Sequence, residues 1–170
     1  MSRFKLIAFI ALITLAFGFA LVGEALAGES GKVLVRDVFF AQGYLASTKV
    51  ADAEGHAMNL LEAKGMSFSD KWGPCLLVLS VVQDYTKGVG PYDGYIHYTY
   101  SDSSTITIRI KGEGKAAGPG ATGSASGEGT WTYLKGTGKF EGIQGGGTRE
   151  YWVLGPGQWY ADATGEYKLP

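Results

Sequence analysis

Gly94-Tyr95-Ile96-His97-Tyr98-Thr99-Tyr100, then Ser101-Asp102-Ser103-Ser104, then Thr105-Ile106-Thr107-Ile108-Arg109-Ile110-Lys111 is the stretch that decides the fold class. Its second half alternates without a break: Ile106, Ile108 and Ile110 face one way, while Thr105, Thr107, Arg109 and Lys111 face the other. A period of two puts successive side chains on opposite faces of a strand, so one face is buried and one is wet. The Ser/Asp cluster between the halves reverses the chain. The stretch therefore predicts an antiparallel β-hairpin.

The same pattern continues on both sides. Residues 76–85 form a long aliphatic and β-branched run that ends at Thr86-Lys87-Gly88-Val89-Gly90-Pro91, a turn signature. Residues 112–127 are mostly Gly, Ala and Ser with almost no apolar bulk, which predicts a surface loop. Strand pattern resumes at Gly129-Thr130-Trp131-Thr132-Tyr133-Leu134, at Thr148-Arg149-Glu150-Tyr151-Trp152-Val153-Leu154, and at residues 158–167. Toward the amino terminus, residues 33–44 read as one strand and residues 46–51 as part of a second. Residues 56–63 (His-Ala-Met-Asn-Leu-Leu-Glu-Ala) have helix propensity and, taken alone, predict a helical turn or two. Short strands separated by Gly and Pro turns, without alternating helices, point to an all-β sandwich or barrel. Closure into a barrel has the physical advantage of removing exposed edges.

The first 27 residues differ in kind. Met1-Ser2-Arg3-Phe4-Lys5 is positive, an apolar run follows to Val22, and Ala25-Leu26-Ala27 ends the segment with small residues in the spacing that signal peptidase reads. The expectation is a cleaved signal peptide over residues 1–27, a mature domain over residues 28–170, and a secreted or periplasmic location. A retained anchor is the rival reading, because the apolar run approaches bilayer length. Cleavage leaves about 143 residues, enough for one domain with a real core. It also leaves 13 basic and 15 acidic residues, a net charge of −2. Nothing in that balance suggests a nucleic-acid partner or, once the leader is removed, a membrane surface, both of which require clustered Lys and Arg. Cys75 is the single cysteine, so no intrachain disulfide forms; its apolar setting (Gly73-Pro74-Cys75-Leu76-Leu77-Val78) reads as a buried strand thiol.

Three stretches carry a resemblance. They are Glu54-Gly55-His56 with Leu61-Glu62-Ala63-Lys64-Gly65-Met66-Ser67-Phe68; Asp84-Tyr85-Thr86-Lys87-Gly88-Val89-Gly90-Pro91-Tyr92-Asp93-Gly94-Tyr95; and Lys135-Gly136-Thr137-Gly138-Lys139-Phe140-Glu141-Gly142-Ile143-Gln144-Gly145. In order and spacing they resemble uncharacterised, mostly bacterial proteins with the β-barrel of the allene oxide cyclase and dirigent type, a calycin-like closed barrel. The likeness spans roughly residues 50–167. It implies one antiparallel eight-stranded barrel, and it implies that residues 56–68 are strand rather than helix. Its motifs are turn glycines, which speak to fold and hardly to activity. Gly136-x-Gly138 and Gly145-Gly146-Gly147 do not make a phosphate cradle, because that site needs a strand-to-helix context.

Candidate site residues follow from face-counting. His56 and Glu62 share a face with Met58 and Leu60; a Glu among apolar residues is a candidate for general acid–base work or a hydrogen-bonded structural carboxylate. His97 shares a face with Tyr95 and Thr99, and is either a surface histidine or, if the Ile96 face packs outside the lumen, a lumen group. Arg109 is available to pair with acids on the last hairpin. There Glu150 and Trp152 share one face, as do Tyr160, Asp162 and Glu166. The candidate ligand-binding set is thus His56, Glu62, Tyr95, His97, Arg109, Glu150 and Trp152, with Glu62 and His97 as the catalytic candidates. Two histidines without metal-ligand spacing argue against a protein-built zinc site, and no cofactor is expected. Three functions stay open: a barrel binding a small hydrophobic or amphipathic ligand, a cofactor-free cyclase or isomerase, and a cell-envelope interaction module. An open or an aromatic-plugged lumen discriminates between them. Neither the ligand nor the oligomeric state is readable from the residues.

Overall fold

A computed structural model describes residues 28–116 and 124–170. The leader reading over residues 1–27 lies outside the described residues. Nine strands follow in chain order: β1 (Ser30–Phe40), β2 (Tyr44–Lys49), β3 (His56–Ser69), β4 (Gly73–Thr86), β5 (Gly90–Thr99), β6 (Thr105–Ala116), β7 (Ser124–Gly136), β8 (Gln144–Gly155) and β9 (Gln158–Lys168). Each pairs antiparallel with its neighbour in the order β1-β9-β8-β7-β6-β5-β4-β3, and a β1–β3 pairing closes the circle. The fold is an eight-stranded antiparallel barrel, with β2 as an extra strand on β3.

The deciding hairpin forms, with Tyr98 opposite Ile106, Ile96 opposite Ile108 and Gly94 opposite Ile110. Those inward residues are almost fully buried. The reversal is held by Tyr100 N–H donating to Ser104 O and by Asp102 Oδ1 accepting from Ser104 N–H, both at 3.0 Å. Ser103 sits in the left-handed region at φ 65°.

Residues 56–63 are strand, as the resemblance implied and their propensity did not. β3 pairs with β4 along its whole length, and its burial alternates with Asn59, Leu61 and Ala63 inside. Helix propensities differ by only tenths of a kcal/mol per residue, which burial of one face outweighs. Two expectations are corrected. The loop predicted over residues 112–127 is mostly strand, because β6 runs to Ala116 and β7 starts at Ser124; residues 117–123 lie outside the described residues. Here glycines stand where strands approach closely, so low apolar bulk does not mean loop. The single strand expected over residues 33–44 breaks after Phe40, where Ala41 N–H donates to Gly157 O at 2.8 Å and the chain leaves β9 to pair with β3 as β2.

The barrel interior has two halves. At one end a 3-10 turn, Gly138–Phe140, drops Phe140 into the lumen at 0% exposure. Gly138 enters that turn at φ +61°, a conformation open to glycine without steric cost. Phe140 packs against Trp72 (5.2 Å between ring centroids) and Tyr100 (4.8 Å), and Trp72 also meets Tyr167 (4.9 Å). Trp131 completes this aromatic plug. A Cβ at Gly165 would lie 2.4 Å from its Cζ2, so the indole occupies the space that residue leaves. Cys75, Ser67, Tyr98 and Asp37 lie on the inner face between the plug and the open half, all buried. The Cys75 thiol is pushed up to about 11, chiefly by burial.

Candidate functional site

The other half of the barrel is hollow. A cavity of about 700 Å³ opens at a rim that includes Gln42, Gly43, Tyr44 and Pro156. Leu61, Leu79, Val81 and Ile110 give the wall its apolar surface, and Trp159 joins them in a stack on Phe39 (5.1 Å, 11°).

Polar groups enter from the inward positions of β3, β4, β5 and β8. Asn59 on β3 accepts a hydrogen bond from Ser47 of β2 at 2.7 Å. Tyr85, Tyr151 and Ser124 form a chain of hydroxyls: Ser124 Oγ lies 2.8 Å from the Tyr151 hydroxyl, which lies 3.3 Å from that of Tyr85. Gln83 Oε1 and the Tyr92 hydroxyl are buried without a hydrogen-bond partner, and both residues line the cavity. Burial pushes the Tyr92 hydroxyl up to about 12, against the pull of the Arg149 charge.

Arg149 is the cation of the cavity. It is 4% exposed, lines the wall, and lies over the Phe39 ring at 5.8 Å. Its Nε and Nη1 have no hydrogen-bond partner. The nearest carboxylate oxygen, Asp37 Oδ2, is 3.9 Å from Nη2, which is outside hydrogen-bond range. That same oxygen accepts from the Tyr98 hydroxyl at 3.0 Å. Burial raises the Asp37 carboxyl, and the Arg149 charge opposes that shift. The barrel wall therefore holds a buried guanidinium in a loose ion pair with a buried carboxylate.

None of the seven residues selected from the sequence lines this cavity. Since Ile96, Ile108 and Ile110 turn inward, their neighbours Tyr95, His97 and Arg109 turn outward. His97 Nδ1 meets Thr107 Oγ1 at 3.0 Å. Arg109 grips Asp93 through Nε and Nη2 (3.0 and 2.8 Å), with its guanidinium 5.9 Å from the Tyr95 ring, and not an acid of the last hairpin. Glu62 is half-buried on the outer face of β3, opposite Ser80, so it is no lumen acid. Glu150 is exposed outside, and Trp152 stacks on Tyr160 at 5.1 Å. Asp162 holds Arg36 through paired hydrogen bonds of 2.6 and 2.7 Å. His56, at the head of β3, is bracketed by Asp52 at Nδ1 and Asp84 at Nε2, both at 2.5 Å. The lumen set is instead Arg149, Tyr151, Tyr85, Tyr92, Gln83 and Asn59. Among the described residues no group of three His, Cys, Asp or Glu is placed to hold a metal ion.

No protein-family model and no curated protein matches the chain. The fold and the cavity therefore define the class that can be stated: a closed β-barrel, plugged with aromatics at one end and hollow at the other.

Proposed function

We propose that the chain is an exported β-barrel of the allene oxide cyclase and dirigent type that binds a small hydrophobic or amphipathic molecule in its hollow half. The observation that carries this reading is the cavity: about 700 Å³, apolar along most of its wall, with a few convergent polar side chains, next to a lumen half that is tightly filled. Ligand sites typically have that size and that mixture of surface. The export reading rests on the amino-terminal sequence, and its check is the mass of the protein recovered outside the cytoplasm, expected to begin at Gly28.

Binding is tested with N-phenylnaphthylamine, a neutral apolar dye whose emission rises on leaving water. Saturable binding at one site per chain is expected, with loss in Val81→Trp, where an indole grows into the cavity, and in Ala57→Trp on its wall. Dye uptake that is unsaturable, or unchanged in both folded variants, contradicts the reading.

A cofactor-free cyclase or isomerase is the second reading. The hydroxyl chain Ser124–Tyr151–Tyr85 on the cavity wall favours it, because positioned donors steer a reactive substrate without a nucleophile. Turnover of a bound molecule that stops in Tyr151→Phe would promote it over simple binding.

A further inference from the structure

We infer that Asp52, His56 and Asp84 form a pH-operated latch at the mouth of the hollow half, shut while the imidazole carries two protons and released when it loses one. The consequence for a bound molecule rests on the binding reading above; the latch itself is measured without any ligand.

The latch joins two turns. The turn over residues 50–55, between β2 and β3, is closed by Val50 N–H donating to His56 O (3.1 Å) and His56 N–H donating to Ala53 O (3.3 Å). It touches the β4–β5 turn, where Lys87 N–H donates to Gly55 O at 3.0 Å and Lys87 Nζ to Glu54 Oε2 at 3.2 Å. Gly55 from one turn and Gly88 from the other line the cavity, with Ala57 and Tyr85. His56 stands where the turns meet. Its Nδ1 is 2.5 Å from Asp52 Oδ1 on the first turn, and its Nε2 is 2.5 Å from Asp84 Oδ1 on β4.

Only the imidazolium satisfies both contacts. It has two N–H donors, one for each carboxylate, whereas the neutral ring has one donor and one lone pair. In the neutral form a nitrogen lone pair faces a carboxylate oxygen at hydrogen-bond distance, so one contact opens. Asp84 is held by β4, paired there to β3 at Met58. Asp52 rides on a turn and is the more exposed carboxylate, 63% against 47%, so Asp52 is the one that lets go. Among the described residues neither carboxylate has a second ion pair to hold it. The other charged groups on the elements packed here are Lys49 at the end of β2, and Glu54 and Lys87, which pair with each other. The two hydrogen bonds, Asp84's first, also raise His56 above its ordinary pKa. The latch is therefore shut at mildly acidic pH and opens as pH rises through that raised value. Release frees the turn that carries Gly55, and the mouth exchanges its contents faster.

The chain has two histidines, so nuclear magnetic resonance can follow the His56 titration with His97 as the internal control. Amide hydrogen exchange, expressed as protection relative to an unstructured chain, reads the turn. Protection at the Val50, His56 and Lys87 amides should fall about threefold to fivefold across the His56 titration, the scale of a partly exposed charge pair, while Ile108 in β6 stays level. The release rate of N-phenylnaphthylamine should rise by a similar factor over the same pH range. In Asp52→Asn both steps should vanish and His56 should titrate at lower pH; in His56→Gln both steps should vanish as well. No step in turn protection overturns the latch, as does a step that survives Asp52→Asn. A step in protection beside a dye release rate that ignores pH overturns its control of the mouth. Failure of the dye to bind at any pH sinks the binding reading, and the turn amides still decide the latch.

Discussion

Phe140→Ala should cost the barrel about 4 kcal/mol of stability and leave the cavity's affinity untouched. Phe140 is 0% exposed, and its ring meets Trp72 at 5.2 Å and Tyr100 at 4.8 Å. A buried phenyl side chain removes roughly 200 Å² from water, which at about 25 cal/mol per Å² gives about 5 kcal/mol. Structure remaining in the unfolded chain lowers that figure somewhat, and core Phe→Ala changes fall at about 3–5 kcal/mol. For a domain of this size, each kcal/mol moves Tm by roughly 3 °C, so a drop of about 12 °C follows. Urea titration and thermal melting followed by circular dichroism measure it, with dye titration run well below the transition. Phe140 belongs to the plugged half and does not line the cavity, so dye affinity should stay within about twofold of the wild type. A loss below about 1 kcal/mol would refute the plug as a stabilising element. Lost dye binding in a folded variant would refute the independence of the two halves.

His56 carries a pH signature. Its ring N–H groups donate to Asp84 and Asp52, and these hydrogen bonds, Asp84's first, raise its pKa above about 6.5 in the folded state. The stabilisation they supply is complete below the unfolded value and is lost as pH rises through the folded one. The Tm gap between wild type and His56→Gln should therefore be widest at mildly acidic pH and close as pH rises through the raised folded-state value; a gap that widens with alkali contradicts the clamp. Cys75, with its thiol pushed up to about 11, should resist a disulfide-exchange reagent in the native state and react fully on unfolding, and rapid native labelling would show the strand is not buried. Arg109→Met removes a surface ion pair with Asp93, both side chains about 40% exposed, so calorimetry should find under about 1 kcal/mol lost. Arg109→Met, His97→Ala and Glu62→Gln should each leave dye affinity unchanged, and a tenfold loss in any of them would place the site on the outer wall.

The strands were legible because alternation is a local property. Ile106, Ile108 and Ile110 announce a buried face from seven residues alone. The closed barrel needed more, since the β1–β3 pairing joins Val35–Phe40 to Lys64–Ser69 with β2 lying between them in the chain, and no local pattern encodes that contact. The glycines misled in one place: Gly112 and Gly114 lie in β6 opposite Gly129 and Gly127 of β7, where a missing side chain serves close packing rather than mobility. The cavity lining was missed by one residue of parity. Glu150 and Trp152 catch the eye as an acid and an aromatic, while Arg149 between Thr148 and Glu150 looks like a surface charge. The signal that identifies it is relational. Gly147, Arg149 and Tyr151 share a face, and β8 is paired so that Gly147 opposes Trp131, itself cross-paired with the inward Ile110. Tracing inwardness from Ile110 through Trp131 to Gly147 puts Arg149 in the lumen, but that path requires the pairing of three strands to be known.

The most direct measurement is a crystal structure of the protein with N-phenylnaphthylamine. The dye should lie in the hollow half, against Leu79, Val81 and Trp159. Dye found instead on the outer faces of β3 and β4, where Met66, Phe68 and Leu76 are exposed, and absent from the hollow half, would contradict the account.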